Sequence, residues 1–247
     1  MAKKHMFLYG KNSILERLRR NPKSIKKIML QDNFNVLAIE DLVKKNKIPA
    51  EYLSARKLAR LKPAKNVQGI LACVDSFKYV DFNALLKGQP PGKKTALVFL
   101  DRINDPQNLG MIMRTLACFG GFSVIIPDTG ACSVTEAVLH VASGADNYVG
   151  VSIVPDLSQA IASAKKYGYF IIGAVVDDKA EDINKIAVSF PLGLVLGSEV
   201  AGISGSVKKQ LDRQVCINMP GANLSLNVSM ACCVFCHEIA KHRKKTV

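Results

Sequence analysis

Apolar residues along the chain form two patterns, short continuous runs and longer stretches at helical spacing. In the last three-fifths of the chain the short runs predict β-strands, and the helical spacing predicts helices between them. This alternation is typical of a mostly parallel sheet covered by helices on both faces, an α/β fold. The predicted strands are 96–100, 123–126, 169–174, 192–196 and 215–217, and the predicted helices are 109–119, 157–166 and 228–243.

The first part of the chain shows the same mixture on a smaller scale. A helix of about two turns is predicted from Asn12, because capping residues precede apolar residues at helical spacing. A short strand at 27–30, an amphipathic helix at 36–45 and a buried strand at 67–74 follow. We therefore predict a small α/β domain ahead of the larger one.

The segment KGQPPGKK at 87–94 marks the boundary between the two domains. Glycine and proline interrupt regular structure there, and lysines keep the segment in water. We predict a first domain at 1–78, a linker at 79–94 and a second domain at 95–247.

Charge also separates the two predicted domains. The chain has a net charge of +14, and residues 1–94 hold 21 lysines and arginines against 7 acidic residues, whereas residues 95–247 hold 13 of each. A basic domain joined to a neutral one indicates that the first binds a polyanion, such as RNA. The candidate RNA-binding residues are Arg17, Arg19, Arg20, Lys26 and Lys27.

Composition also bears on location and on metals. No run is long and apolar enough to span a bilayer, and no apolar stretch follows the charged start, so we predict a cytoplasmic protein without a membrane partner.

The seven cysteines lie mostly in apolar stretches, which favours packed thiols over disulfides. The pattern CCxxCH at 232–237 places two pairs one helical turn apart, which predicts a buried helix face. It would bind zinc only with a second ligand pair, and only the isolated Cys216 and His242 are available, so we predict no metal.

Three loops rich in glycine and polar residues follow predicted strands. They are DRINDPQNLG at 101–110, GSEVAGIS at 197–204 and NMPGANLSLNVS at 218–229. In parallel sheets, ligands bind beyond the carboxyl ends of the strands, so the three loops are expected to share a site.

Single residues in these loops leave the chemistry open. Asn108 is expected to cap a helix beginning at 109, and the long side chain of Arg114 in that helix leans back toward the loop. Glu199 is the one charged group of the second loop. Ser225 and Asn227 either cap the C-terminal helix or point into a site. Each residue taken alone has a plain structural explanation.

Taken together, the loops resemble the signature motifs of a known family. DPQNLGMIMRT, LVLGSEVAGIS and INMPGANLSLNVS resemble, in this order, three motifs of the SPOUT-superfamily RNA ribose 2′-O-methyltransferases of the SpoU/TrmH family. ASGA at 142–145 resembles a weaker fourth motif, the loop before a central strand. LYGKN at 8–12 and IKKI at 25–28 are similar to the small ribosomal-protein-like RNA-binding domain of the branch that methylates a guanosine of 23S rRNA.

The resemblance implies properties that the residues alone do not. It implies a catalytic domain tied in a deep trefoil knot, S-adenosylmethionine as methyl donor, a homodimer with each site completed near the partner, and an RNA substrate, rRNA rather than tRNA. The family's catalytic positions match Asn108, Arg114, Glu199, Ser225 and Asn227, and its cofactor-binding positions match Gly197, Ile217, Met219 and Leu226.

Val200 departs from the family's pattern, and three alternative functions stand beside this interpretation. Val200 stands where many relatives have glycine, and a β-branched residue disfavours a positive φ, so the backbone of that loop is expected to differ. The alternatives are a tRNA ribose methyltransferase, a non-catalytic RNA-binding or ribosome-assembly protein, and a nucleotide-binding oxidoreductase. The last lacks the expected glycine fingerprint.

Overall fold

The computed structural model describes residues 5–63, 67–87, 94–177, 179–222 and 224–244. Contacts divide the chain into two compact units. The first unit comprises residues 1–78 and 134–148, and the second unit comprises residues 79–133 and 149–247. Segment 134–148, which the apolar pattern assigned to the second domain, thus belongs to the first unit. Of the predicted linker 79–94, residues 82–87 are helical and residues 88–93 lie outside the described residues.

Strands and helices alternate along most of the chain. The strands are β1 His5–Tyr9, β2 Ile25–Gln31, β3 Ala50–Leu53, β4 Ile70–Asp75, β5 Ala96–Asp101, β6 Phe122–Pro127, β7 Gly150–Val154, β8 Phe170–Ala174, β9 Glu181–Asp182, β10 Leu192–Gly197 and β11 Arg213–Cys216. The helices are α1 Lys11–Arg20, α2 Leu37–Lys45, α3 Ala55–Leu61, α4 Phe82–Lys87, α5 Pro106–Phe119, α6 Glu136–Ala142, α7 Leu157–Lys166, α8 Gly205–Lys208 and α9 Val228–Lys244.

The first unit is built on a four-stranded sheet in the order β1-β4-β2-β3. Strand β4 is antiparallel to both of its neighbours, and β2 and β3 are parallel. The helices and strands predicted here from the apolar pattern are confirmed with shifted ends. Strand β4 begins only at Ile70, because Gln68 and Gly69 form a turn with positive φ values of 55° and 74°.

Segment 134–148 is joined to the rest of the first unit by buried polar and aromatic contacts. Arg17 of α1 forms an ion pair with Asp146, whose side chain is fully buried, and also donates to the hydroxyl of Ser24 over 3.2 Å. The ring of His140 stacks on Tyr9 with 4.3 Å between ring centroids. A buried charge is tolerated only beside a partner of opposite sign, so the Arg17–Asp146 pair fixes where this segment lies.

The second unit is built on a seven-stranded sheet in the order β7-β6-β5-β10-β8-β11-β9, with every neighbouring pair parallel. All five strands predicted for this part are present. Strands β7 and β9 were not predicted, since β7 includes a glycine and a serine and β9 has only two residues. The strand expected to be central after the 142–145 motif is β7, which lies at an edge of the sheet, so that expectation was wrong.

Both faces of this sheet are covered, as predicted. Side chains alternate between the two faces of a strand. In β5, Leu97 and Phe99 pack with Ile161 of α7 in one apolar cluster, while Val98 and Leu100, which point the other way, are also fully buried. Helix α9 contacts α5 and strand β10. The trefoil knot stays a prediction of the resemblance. Among the described residues, no helix combines the length and hydropathy needed to cross a membrane.

Candidate functional site

A pocket of about 700 Å³ lies in the second unit at the carboxyl ends of β8, β10 and β11. Residues that follow these three strands line it, together with Ala222, Leu224, Ser225 and Leu226. Three of its lining side chains, Val176, Leu224 and Leu226, are apolar yet 74%, 74% and 39% exposed. Apolar side chains left uncovered inside a pocket of this size are typical of a small-molecule site.

The loop after β10 can fold back on itself only because two of its residues are glycine. A β-carbon on Gly197 would overlap the backbone of Gly202 and Ile203. The amide of Gly202 donates to the carbonyl of Ser198 over 2.8 Å, and Gly202 has a positive φ of 59°. The positive φ of this loop thus falls on Gly202 and not on Val200, whose side chain is fully exposed. Val200 is therefore compatible with the loop.

Asp101 and Arg102, at the end of β5, hold the same loop by hydrogen bonds. This role was not predicted from the sequence. The buried carboxylate of Asp101 accepts a hydrogen bond from the amide of Ser204 over 2.6 Å. The guanidinium of Arg102 lies 3.3 Å from Asp101 and donates to the carbonyl of Gly202 over 3.0 Å. The signal available in the sequence was the acidic residue Asp101 directly after the apolar run 96–100, which indicates a buried carboxylate that needs a partner.

Three of the predicted catalytic residues form one hydrogen-bonded cluster. The amide nitrogen of Asn227 donates to Glu199 over 2.5 Å and to the side-chain oxygen of Asn108 over 3.0 Å. The amide nitrogen of Asn108 also donates to Glu199, over 3.3 Å. The cluster therefore joins helix α5, the loop after β10 and the start of α9, and its two asparagines are 119 residues apart along the chain.

Asn227 also caps helix α9, and this fixes the orientation of its amide. Its side-chain oxygen accepts from the amide and the hydroxyl of Ser229 over 2.9 and 2.6 Å. Because a backbone N–H can only donate, the atom facing it must be the oxygen, so the nitrogen of the Asn227 amide faces Glu199 and Asn108. Glu199 in turn accepts from the amide of Val228 over 3.4 Å, where the positive end of the helix dipole favours a carboxylate.

The expectation that Asn108 caps helix α5 was wrong. The helix begins three residues earlier than predicted, at Pro106, and Asp105 caps it by accepting from the amide of Gln107 over 2.9 Å. Proline is favoured at the first helical position, since its fixed φ suits the helix and it has no N–H to leave unpaired. Asn108 therefore lies inside the first turn, and its side chain is available for Glu199 and Asn227.

Asn227→Ala is expected to lower the free energy of unfolding by about 1–2 kcal/mol, because helix α9 loses its cap. Urea unfolding followed by circular dichroism measures this. Asn227→Ser retains a capping oxygen and is expected to recover most of the stability. Its short hydroxyl cannot reach both Asn108 and Glu199, so it is not expected to restore activity. Equal unfolding curves for Asn227→Ala and the parent chain would contradict the capping role.

The structure gathers most of the predicted site residues around the pocket. Six of them line it: Gly197, Glu199, Ile217, Met219, Ser225 and Leu226. Asn108 and Asn227 join through Glu199. Arg114 is the exception: it is exposed on α5, does not line the pocket, and has no hydrogen bond or ion pair within the part of the chain that the structure describes.

The five candidate RNA-binding residues fall into three kinds. Arg17 is buried in its ion pair with Asp146, and its contact with RNA stays a prediction. Three are exposed but paired with acids: Arg19 with Glu16 at 2.7 Å, Lys26 with Asp75 at 2.9 Å and Lys27 with Glu51 at 2.5 Å. Arg20 is exposed and is held by an aromatic side chain instead of a carboxylate.

The cysteine pattern of α9 faces two ways. Cys232 and Cys236 are buried with their sulfur atoms 3.8 Å apart, and the hydrogen bond with Cys236, together with burial, raises the pKa of Cys232. Cys233 and His237 are exposed. The expectation that both pairs lie on a buried face is confirmed for the first pair and wrong for the second.

Comparison with known families explains why these residues occur together. Residues 95–237 match the SpoU rRNA Methylase family, and residues 7–80 match the RNA 2′-O ribose methyltransferase substrate-binding family. The chain therefore belongs to the SpoU rRNA methylase family, and it is an RNA 2′-O-methyltransferase with an N-terminal substrate-binding domain.

Individual relatives agree with this assignment. A 23S rRNA (guanosine-2′-O-)-methyltransferase, RlmB, of Coxiella burnetii is 33% identical over 241 residues, which cover 96% of both chains. YacO of Bacillus subtilis, described only at the level of TrmH family tRNA/rRNA methyltransferases, is 29% identical over 246 residues and 98% of both chains. The SpoU methyltransferase AviRb of Streptomyces viridochromogenes, solved with its cofactor AdoMet, is 18% identical and has the same fold, with a TM-score of 0.80 over 98% of this chain and 92% of its own.

Proposed function

We propose that this chain transfers a methyl group from S-adenosylmethionine to the ribose 2′-hydroxyl of a guanosine in 23S rRNA. The observation that carries the proposal is the pocket at the strand ends, with the Asn108–Glu199–Asn227 cluster joined to its wall. The 23S rRNA substrate is supported by the relative from Coxiella burnetii and by the match of residues 7–80 to a substrate-binding family.

The pocket fits S-adenosylmethionine in chemistry and size. Its volume lies within the range of about 300–1,000 Å³ that is usual for small-molecule sites. Leu196, Ile217 and Leu226 give an apolar lining suited to an adenine ring. The absence of a side chain at Gly197 lets the loop after β10 pack closely, with the backbone of Gly202 and Ile203 against Gly197. Gly197, Ile217, Met219 and Leu226 are the residues that we assign to the cofactor.

The polar residues supply what methyl transfer to a hydroxyl requires. When bound, S-adenosylmethionine would supply a sulfonium methyl group and would leave as the neutral thioether, which keeps the electron pair of the carbon–sulfur bond. The 2′-hydroxyl must lose its proton as its oxygen bonds to the methyl carbon. Asn108 and Ser225 orient the ribose, and Glu199 and Asn227 hold Asn108 in position through the hydrogen bonds already described.

Arg114 acts as the cation of this site. A guanidinium presents a planar pair of donors that suits oxygen anions, so we assign Arg114 to charge stabilisation instead of general-base catalysis. Arg114 stabilises the developing negative charge on the 2′-oxygen and holds the adjacent RNA phosphate, while that phosphate or water accepts the proton. Because Arg114 is exposed on α5 and does not line the pocket of its own chain, we propose that it completes a site from outside that pocket.

A homodimer would bring Arg114 to a site. Helices α5 and α9 pack together, and each leaves apolar side chains exposed. Met111, Met230 and Val234 are 39%, 58% and 36% exposed, and Arg114 follows Met111 by one helical turn. We assign this α5/α9 face to the dimer interface, which places Arg114 beside the partner.

Replacing Met230 and Val234 together by lysine is expected to weaken dimerisation at least about a hundredfold, because two desolvated apolar contacts become charges. Sedimentation velocity over a concentration series measures the effect. Tyr167→Lys is the matched control, since Tyr167 is 47% exposed at the end of α7. A parent chain that is monomeric throughout the series, or a double variant that still dimerises like the parent, would contradict the assignment.

Transfer of a tritiated methyl group from S-adenosylmethionine to protein-free 23S rRNA and, separately, to total tRNA tests the proposed function. Nuclease digestion then locates the label. We expect label in one ribose-methylated dinucleotide of 23S rRNA that begins with guanosine. Label confined to tRNA would replace the proposed substrate, and failure to bind S-adenosylmethionine would overturn the enzyme assignment.

A further inference from the structure

The first unit contains a pocket of its own, of about 520 Å³, that no role assigned so far explains. It lies beside the C-terminal end of α1 and the residues that follow β4. Cations, carboxamides and an aromatic ring meet there, together with acidic and hydroxyl side chains. They include Arg20, Lys23, Lys78, Asn21, Asn147 and Phe77.

The acidic residues of this pocket are already neutralised. Asp146 is paired with Arg17 in the interior. Asp75 is paired with Lys26 at 2.9 Å, and this hydrogen bond lowers the pKa of Asp75. By contrast, within the described residues Lys23 and Lys78 form no ion pair. The pocket therefore keeps a positive charge that is left for an external anion.

Arg20 is held in a fixed orientation at the pocket. Its guanidinium lies over the ring of Tyr148, with 4.8 Å to the ring centroid, and its Nε donates to the hydroxyl of Tyr148 over 2.9 Å. That hydroxyl donates in turn to Glu16 over 2.6 Å. Only Nε is used in this network, so the two terminal nitrogens remain available as a planar pair of donors. Such a pair matches two oxygens of a phosphate.

We propose that this pocket is a nucleotide-binding subsite that takes one unpaired nucleotide of the RNA substrate. Arg20, Lys23 and Lys78 bind its phosphodiester. Phe77 lines the same pocket, and Asn21 and the side-chain oxygen of Asn147 offer hydrogen-bonding groups to the base edge. The nucleotide must be unpaired, since base edges are hidden in an RNA helix and are presented in loops and bulges. This inference rests on the proposed function only in taking RNA as the ligand.

Binding to protein-free 23S rRNA, measured by filter binding at several salt concentrations, tests the subsite. Arg20→Ala and the double variant K23A/K78A are each expected to weaken binding about tenfold and to make it less dependent on salt. The control K44A/K45A removes the same number of charges from exposed positions on α2, outside the pocket, and is expected to bind within about twofold of the parent. Arg20→Lys keeps the charge but not the paired donors, so an intermediate loss is expected.

Kinetics separate this inference from the proposed function. At saturating S-adenosylmethionine, the pocket variants are expected to raise KM for RNA about tenfold and to leave kcat unchanged, because the subsite lies in the substrate-binding unit. Pocket variants that bind and react like K44A/K45A would overturn the subsite while the parent's methyl transfer still stood. A parent that binds RNA through this pocket but methylates neither RNA class would overturn the proposed function and leave the subsite intact.

Discussion

Arg114→Ala is expected to reduce methyl transfer to RNA by about a thousandfold while the affinity for S-adenosylmethionine stays unchanged. The pocket is lined without Arg114, so losing its side chain leaves the cofactor residues in place. What is lost is the positive charge that stabilises the developing alkoxide, which matters in the transition state more than in the ground state. Single-turnover methyl transfer and equilibrium binding of the cofactor measure the two effects separately.

Two further variants define the role of Arg114. Arg114→Lys keeps the charge but loses the planar pair of donors and is expected to retain only a small part of the activity. Near-normal turnover by Arg114→Lys would contradict the orienting role. Lys166→Ala, which removes an exposed charge at the end of α7, is the control and is expected to be fully active.

Mixed dimers test whether Arg114 serves the partner's site. Arg114→Ala subunits and subunits that cannot bind the cofactor are each expected to be inactive alone. If Arg114 acts across the interface, a heterodimer of the two contains one site with an intact pocket and an intact arginine. Activity would then return on mixing. No recovery in a verified heterodimer would place Arg114 at the site of its own chain.

Gly197→Ala is expected to weaken binding of S-adenosylmethionine by at least about a hundredfold. The added β-carbon would overlap the backbone of Gly202 and Ile203, and backbone atoms cannot move aside as a flexible side chain can. The loop after β10 must therefore open, which displaces Glu199 and the hydrogen bonds that it accepts. Isothermal titration with the cofactor, with thermal unfolding measured in parallel, distinguishes a lost pocket from a lost fold.

Gly205→Ala is the matched control for this substitution. Gly205 is only eight positions along the chain, at the first position of α8, and a β-carbon there would meet no heavy atom within 4 Å. Alanine is also the better helix former. Gly205→Ala is therefore expected to bind the cofactor like the parent. Equal affinity of Gly197→Ala and Gly205→Ala would contradict the close packing of the loop.

The sequence allowed much of the second unit to be predicted, for physical reasons. Strands buried on both faces are continuous apolar runs, and these were recognised, whereas the edge strands β7 and β9 are short or interrupted and were not. The start of α5 was misplaced although Asp105 and Pro106 together are a sequence signal for a helix start. Because Asp105 caps the helix, the side chain of Asn108 is not needed for capping and can join the polar cluster.

Long-range partners could not be predicted from the sequence. Arg17 was grouped with the exposed basic residues, because its buried partner Asp146 lies 129 positions away. The same limit applies to Asp101, whose contact with Ser204 spans 103 positions. Spacing along one helix or loop carries no information about such pairs. The motifs predicted that Asn108, Glu199 and Asn227 belong to one site, but only the fold shows that Glu199 connects the two asparagines by hydrogen bonds.

The placement of segment 134–148 in the first unit bears on how this architecture can be inherited. The first unit is encoded in two pieces, with residues 79–133 of the second unit between them. A recombination event that exchanged residues 1–78 alone for a piece without an arginine at position 17 would leave Asp146 as a buried carboxylate without its partner, at a cost of several kcal/mol. Exchange of residues 1–78 between relatives should therefore succeed only where residues 17 and 146 are exchanged together or are the same in both relatives.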